Sequence, residues 1–161
     1  MKIGVISDTH IPERALDIPE EIYSAFKKVD LILHAGDLVS IEVLKSLEEI
    51  CPVKAVCGNM DRPELKSMLN EKEIITVGKL KIGLIHGAGH PTKLIPYVKS
   101  AFKERLDCIV FGHSHNATNE IKNGVLFFNP GSPTDTIFSP CRSYGILEVD
   151  EKIKGTIIKL S

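Results

Sequence analysis

The sequence predicts an α/β fold with mixed sheets, two sheets packed together with helices outside. Three observations carry this. The front of the chain alternates short β-rich runs with longer amphipathic stretches. The back is rich in paired β-runs joined by tight turns. Its 161 residues suit one domain with a core large enough to be stable unaided. The front half calls for a parallel sheet and the back half adds antiparallel strands. Residues 1–161 are therefore read as a single domain.

The elements follow in order. Lys2–Ile6 is an apolar strand. Pro19 begins a helical stretch, PEEIYSAFKKV, with Ile22, Ala25, Phe26 and Val29 at helical spacing. Pro in the first turn with Glu just after it marks a helix start. Leu31–Leu33 is the next strand, Ser40 is placed to cap a second helix, IEVLKSLEEI, and Val53–Cys57 is a third strand. Lys72–Val77 and Lys79–Ile85 form a hairpin about Gly78. Thr92 is placed to cap a helix through Arg105, and Asp107–Phe111 is a buried strand. Ala117–Lys122 and Val125–Phe128 flank Asn123-Gly124, a strong hairpin signal. Tyr144–Val149 and Lys152–Leu160 pair about Asp150-Glu151. The loop from Asn129 to Ser143, with Pro130, Pro133 and Pro140, is long for a compact domain, and such loops are often functional.

Composition narrows the function classes. The formal net charge is -1, without the basic excess of a duplex nucleic-acid binder, so strong nucleic-acid binding is not expected. No segment reaches the ~18 apolar residues that span a bilayer. The start, MKIGVISDTH, runs straight into Asp and His, unlike a secretory signal, so a cytoplasmic protein is expected. Cys51, Cys57, Cys108 and Cys141 form no CxxC pair and are expected to be reduced.

The polar residues are not scattered on this map. Strands end in Ser7-Asp8-Thr9-His10, His34-Ala35-Gly36-Asp37, Gly58-Asn59-Met60-Asp61, His86-Gly87-Ala88-Gly89-His90 and Gly112-His113-Ser114-His115. Ligands of open α/β sheets bind beyond the carboxyl ends of strands. Residues two apart in an extended stretch face the same way, so Asp8 and His10 can meet at one centre, as can His113 and His115. One histidine or aspartate after a strand is ordinarily a turn residue. Turn preference does not readily produce all of these together, two of them as D-x-H and H-x-H, and the set reads as a metal site.

These blocks resemble the calcineurin-like metallophosphoesterase superfamily over nearly the whole chain: D-x-H at Asp8–His10, G-D at Gly36–Asp37, G-N at Gly58–Asn59, H-G at His86–Gly87 and G-H-x-H at Gly112–His115. Asn129-Pro130-Gly131-Ser132 is similar to the small bacterial and archaeal phosphodiesterase branch. The resemblance implies a sandwich of two mixed β-sheets with helices on both outer faces. It implies one metal on Asp8, His10, Asp37 and His115, a second on Asp37, Asn59, His86 and His113, and Asp37 bridging both. It further implies hydrolysis of a small phosphodiester by hydroxide held between the ions, which lie about 3.5–4 Å apart in such sites.

The donor set is imidazole and oxygen without thiolate. It suits two transition-metal ions, Mn or Ni first with Fe, Co or Zn as alternatives, over Mg or Ca. Asn59, His90 and Arg142 are the candidates for substrate contact. Asp61, Asp135 and the Asn129 loop are candidates for orienting the histidines. His34 is read as structural.

Two departures from the family pattern stand out. Met60 occupies the position where many members carry a histidine that protonates the leaving group, so no catalytic side chain is expected beyond the metal-bound hydroxide. The usual H-G-H becomes His86-Gly87-Ala88-Gly89-His90. A non-catalytic metal-binding scaffold for protein assembly is the alternative reading on the same fold, and a repair-type nuclease is disfavoured by length and charge. A homodimer is a base-rate expectation only.

Overall fold

A computed structural model describes residues 1–161. The strands of the first sheet are β1 (Lys2–Ile6), β2 (Leu31–His34), β3 (Val53–Ala55) and two late strands, β9 (Ser143–Val149) and β10 (Ile153–Lys159). The order is β10-β9-β1-β2-β3, with β1, β2 and β3 parallel and β9 antiparallel to both its neighbours. The second sheet holds β4 (Lys72–Val77), β5 (Leu80–Ile85), β6 (Cys108–Val110), β7 (Thr118–Lys122) and β8 (Val125–Asn129) in the order β4-β5-β6-β8-β7. Its three central strands are parallel and both edges antiparallel. Both sheets are mixed, as expected.

Side-chain alternation along the strands builds the layers. Ile3 and Val5 of β1 pack with Ile82 and Leu84 of β5 and Phe128 of β8 in one cluster between the sheets. Ile6 and Ile32 face the other way, onto Ile22 and Phe26 of α1 (Glu20–Phe26) and Val43 and Leu47 of α2 (Ile41–Glu48). Gly4 shares that outer face, and a Cβ there would lie 2.7 Å from the Phe26 ring, so glycine sets how closely α1 sits. On the opposite side Ile85, Ile109 and Phe127 meet Leu94 and Val98 of a later helix, Leu94–Ser100. Helices therefore cover both outer faces. No helix is long and apolar enough to cross a membrane.

Two helices differ from expectation. A short helix α3 (Pro63–Met68) follows β3, where none was predicted; its signal is Pro63 at the first helical position with Glu64 behind it. The expected helix from Thr92 to Arg105 is instead a 3-10 turn, Pro91–Lys93, leading into α4 (Leu94–Ser100). His90, not Thr92, is the cap, its ring accepting the Thr92 N–H at 3.3 Å. Phe102 and Leu106 keep helical spacing beyond the end of α4. They lie over Gly83, where a Cβ would meet them at 2.9 and 2.6 Å, and this packing replaces further helix. Within each sheet β1 runs parallel to β2 and β5 to β6, and the polar residues follow the C-terminal ends of these strands.

Candidate metal centre

The cluster is built from strand exits whose backbones are bent out of the ordinary allowed regions. Asp8, His10, Asp37, His113 and His115 all have left-handed φ, from 43° to 70°. Such conformations cost of order 1–3 kcal/mol each for residues other than glycine and gather at functional sites. Asp8 and His10 were expected to converge through extended geometry; they converge through these turns instead. The bends are held from outside. The Asp8 and His10 N–H groups donate to the Gly36 and Asp37 carbonyls, both at 3.0 Å, which ties the β1 exit to the β2 exit. Asp61 is 3% exposed and accepts three backbone N–H groups: Asp37 at 3.0 Å, Gly58 at 2.7 Å and Val39 at 2.6 Å. Sequence reasoning had Asp61 orienting histidines; it orients the backbone that presents Asp37. Gly58 lies so close that a Cβ on it would fall 2.1 Å from Asp37 Oδ1.

Six of the seven predicted ligands meet through side-chain donor atoms. Asp8 Oδ1 lies 3.4 Å from His115 Nε2, 3.8 Å from His10 Nε2 and 3.9 Å from His86 Nε2. Asp37 Oδ2 lies 3.6 Å from His10 Nε2 and 3.2 Å from His86 Nε2. His10 and His115 bring their Nε2 atoms to 3.2 Å, and His86 Nε2 lies 3.1 Å from Asn59 Oδ1. The seventh, His113, stands edge-on to His86, ring centroids 5.3 Å apart, while its N–H donates to Asp8 Oδ2 at 3.0 Å. His113 Nε2 hydrogen-bonds the Gly89 carbonyl at 3.1 Å, which leaves Nδ1 as its free acceptor.

Outer contacts aim the rings. His86 Nδ1 donates to the Ala35 carbonyl at 2.8 Å and His115 Nδ1 pairs with Asp135 Oδ2, so both present Nε2 to the cluster. Asp135 Oδ1 also accepts the Ile137 and Phe138 N–H groups. Sequence reasoning missed the clamp beside it: Ser132 Oγ donates to the Asp8 carbonyl and Thr134 Oγ1 to the Thr9 carbonyl, both at 2.7 Å. Asn129 Nδ2 donates to the Gly112 carbonyl at 2.9 Å. The Asn-Pro-Gly-Ser-Pro-Thr-Asp run was the available signal, being a string of turn-forming hydroxyls and amides.

Other candidates have other partners. His90 is exposed and its ring contacts Thr92, while Arg142 hydrogen-bonds the Ser161 carbonyl. Met60 sits at the rim, half exposed, with its N–H donating to Asp37 Oδ1 at 2.8 Å. His34 is fully buried, accepting the Gly36 N–H on Nδ1 and facing Thr9 Oγ1 with Nε2. Burial pushes its pKa down to about 3, so it is neutral and structural.

The donors fit divalent cations. Asp8, His10 and His115 form one group and Asp8, Asp37 and His86 another, each with one donor atom per residue and all within 4.8 Å of one another. Burial opposes the charge on Asp8, but hydrogen bonds from His10 and His115 and the nearby His86 hold its carboxyl far below the usual range. Burial likewise opposes Asp37, and its bond to His86 prevails and lowers it. Burial would lower His86 and His115; the Asp37 bond and the carboxylate charges raise the first to about 9, and Asp8 and Asp135 raise the second to about 9.

This fixes a pH prediction. In metal-free protein both imidazoles hold protons that an entering cation must displace. Apparent metal affinity is therefore expected to rise from pH 6.5 to about 9, with proton release measurable by calorimetry in buffers of different ionisation enthalpy. The stability of the metal-free fold runs the opposite way. Folded pKa values above the unfolded 6.5 contribute stability present below pH 6.5 and lost as pH rises through about 9. Metal uptake without proton release near pH 7 would refute the assignment.

A family-wide profile of the calcineurin-like phosphoesterase superfamily domain matches residues 1–152. The chain belongs to this family. A probable metallophosphoesterase of Methanothermobacter thermautotrophicus is 40% identical, over 99% of this chain and 92% of that protein. A phosphodiesterase of Methanocaldococcus jannaschii is 32% identical, over 94% of this chain and 95% of that one. The vacuolar protein sorting 29 protein of Entamoeba histolytica, solved with zinc, superposes with a TM-score of 0.76 at 27% identity, over 99% of each chain. The family is metal-dependent, and the two sheets with their outer helices are the arrangement its solved members share.

Proposed function

We propose that this metallophosphoesterase hydrolyses small phosphodiesters at a dinuclear metal site. The observation that supports it most is the sharing of carboxylates. Asp37 Oδ2 stands within 3.6 Å of imidazole nitrogens on both sides, His10 and His86, and Asp8 Oδ1 faces three. One ion is assigned to Asp8, His10, Asp37 and His115, and the other to Asp37, Asn59, His86 and His113. When bound, two divalent ions neutralise phosphoryl charge and lower the pKa of water. The chain does the rest. Asp135 and the Ala35 carbonyl fix two imidazoles in the tautomer that offers Nε2. Asn59 contributes a neutral oxygen, which keeps the pocket net positive toward a phosphate anion. Residues 1–161 act as one domain in this reading.

The test is turnover of bis(p-nitrophenyl) phosphate. The purified protein should hydrolyse it only with added transition metal, chelator should abolish turnover, and Mn or Ni should restore it better than Mg. Unchanged activity after exhaustive chelation and dialysis refutes the reading. Likeness to the vacuolar sorting protein favours a second one, a metal-binding scaffold; tight metal binding with no turnover of any ester would select it.

A further inference from the structure

A cleft of about 500 Å³ opens beside the cluster, sharing Asn59 and His86 with it. Its wall carries Lys66, Lys72, Glu71 and Tyr97. Small-molecule sites occupy roughly 300–1,000 Å³. The lysines are anchored without being neutralised. Lys66 Nζ donates to the Asn59 carbonyl at 2.8 Å. Lys72 Nζ donates to the Ala101 carbonyl at 2.5 Å and lies 5.6 Å from the centre of the Phe102 ring. The lysine–carboxylate pairs of this chain are Lys2–Glu148, Lys81–Glu104 and Lys122–Glu120, so neither cleft lysine has a carboxylate partner.

An ammonium has three donors, and one carbonyl leaves two on each lysine. The carbonyl contact fixes the long side chain while leaving its full charge. Against Glu71, the two lysines leave the wall net positive, apart from the His86 ring that it shares with the cluster. Tyr97 adds a half-exposed ring as an apolar surface. A wall of this kind suits an organic group that ends in several charged oxygens.

We propose that this cleft is the subsite for one arm of the diester, and that the arm it selects bears a second phosphate, as a monoester. The proposal rests on the diesterase reading for the word arm. Its own chemistry is recognition of a phosphate monoester by Lys66 and Lys72, with the carbon skeleton against Tyr97. Lys66 also fixes the Asn59 backbone, so Lys72, whose carbonyl partner is not a candidate ligand, is the cleaner probe.

The experiment is calorimetric titration of the chelated, metal-free protein with phenyl phosphate, phenol and inorganic phosphate, alongside NMR of tyrosine-labelled protein. The chain has three tyrosines, so the Tyr97 signal is separable. Phenyl phosphate should bind at least about tenfold more tightly than phenol, and should move the Tyr97 resonance but not that of buried Tyr144. Lys72→Gln should weaken it about tenfold. Equal affinity for phenol, equal affinity in Lys72→Gln, or inorganic phosphate binding as tightly as phenyl phosphate would each overturn the subsite. Turnover of bis(p-nitrophenyl) phosphate by the metal-loaded parent is scored separately. Its failure beside intact phenyl phosphate binding would reject the diesterase reading and leave the cleft assigned.

Discussion

Asp37→Asn is expected to lower diester turnover by on the order of 10³-fold and to cost more bound metal than loss of any ligand assigned to one ion. The geometry gives the reason. Asp37 Oδ2 lies 3.6 Å from His10 Nε2 and 3.2 Å from His86 Nε2, so one oxygen faces both halves of the cluster. Oδ1 is occupied by the Met60 N–H at 2.8 Å. An asparagine has the same shape and keeps an oxygen for Met60, so the turn survives. What it loses is the charge that, on the proposed assignment, both cations would share. His115→Gln, by contrast, removes one donor on one side and leaves Asp8 and Asp37 in place. Elemental analysis of both variants, with kcat/KM for bis(p-nitrophenyl) phosphate, makes the comparison. An Asp37→Asn protein that keeps its metal and turns over within threefold of the parent would remove the bridging role.

The residues of this comparison were legible because of where they stand in the chain. Asp8, Asp37, Asn59, His86 and His113 each follow a strand. A short apolar run announces its own end, so the first polar residues beyond it can be placed without a structure. Gly36, Gly58 and Gly112 stand beside them, where a Cβ would lie 2.8 Å from His86, 2.1 Å from Asp37 and 2.6 Å from Asp8. The sheets were legible for the same reason, since alternating apolar residues and Asn123-Gly124 declare strands and turns locally. What was not legible depends on contacts far apart in sequence. Ser132 reaches the Asp8 carbonyl across 124 residues, and Thr134 the Thr9 carbonyl across 125, whereas Asp135 does orient a histidine, His115, as the sequence suggests. A hydroxyl in a loop carries no local mark of such a partner. Nor is backbone hand readable: the D-x-H spacing suggests extended geometry where Asp8 and His10 are left-handed.

His90 and Arg142 show the limit from the other side. Both were substrate candidates because each is a cationic or imidazole group on a glycine- or proline-bearing segment. Gly87 and Gly89, with φ of 100° and 85°, turn the chain so that the Gly89 carbonyl meets His113 and His90 becomes the cap of the next turn. Arg142, just before β9 begins, spends its guanidinium on the Ser161 carbonyl. In both cases the alternative partner is a backbone group, which sequence reading undercounts.

Hydrolysis by this protein is expected to depend steeply on the pKa of the leaving group, because Met60 takes the place of a histidine acid. The family resemblance implies a histidine after the Gly-Asn pair. Here the Met60 N–H is bound to Asp37 Oδ1 at 2.8 Å and the residue is 52% exposed, so the position belongs to the rim of the site. A thioether has no proton to give. The leaving oxygen then departs as an anion or takes a proton from water. General acid help is worth roughly 10²–10⁴-fold. Its absence matters little for a nitrophenol, which leaves readily as an anion, and much for an alkoxide. Simple alkyl monoesters should therefore be turned over poorly. Diesters should be preferred over monoesters, since a singly charged substrate suits a pocket without the extra imidazolium. Met60→His should flatten the leaving-group dependence and raise monoesterase activity, with metal content unchanged by elemental analysis. A series of substituted phenyl phosphates and diesters, run on parent and variant, measures both slopes. A parent rate that ignores leaving-group pKa in the chemical step would mean that another residue supplies the proton, and the role given to Met60 would fall.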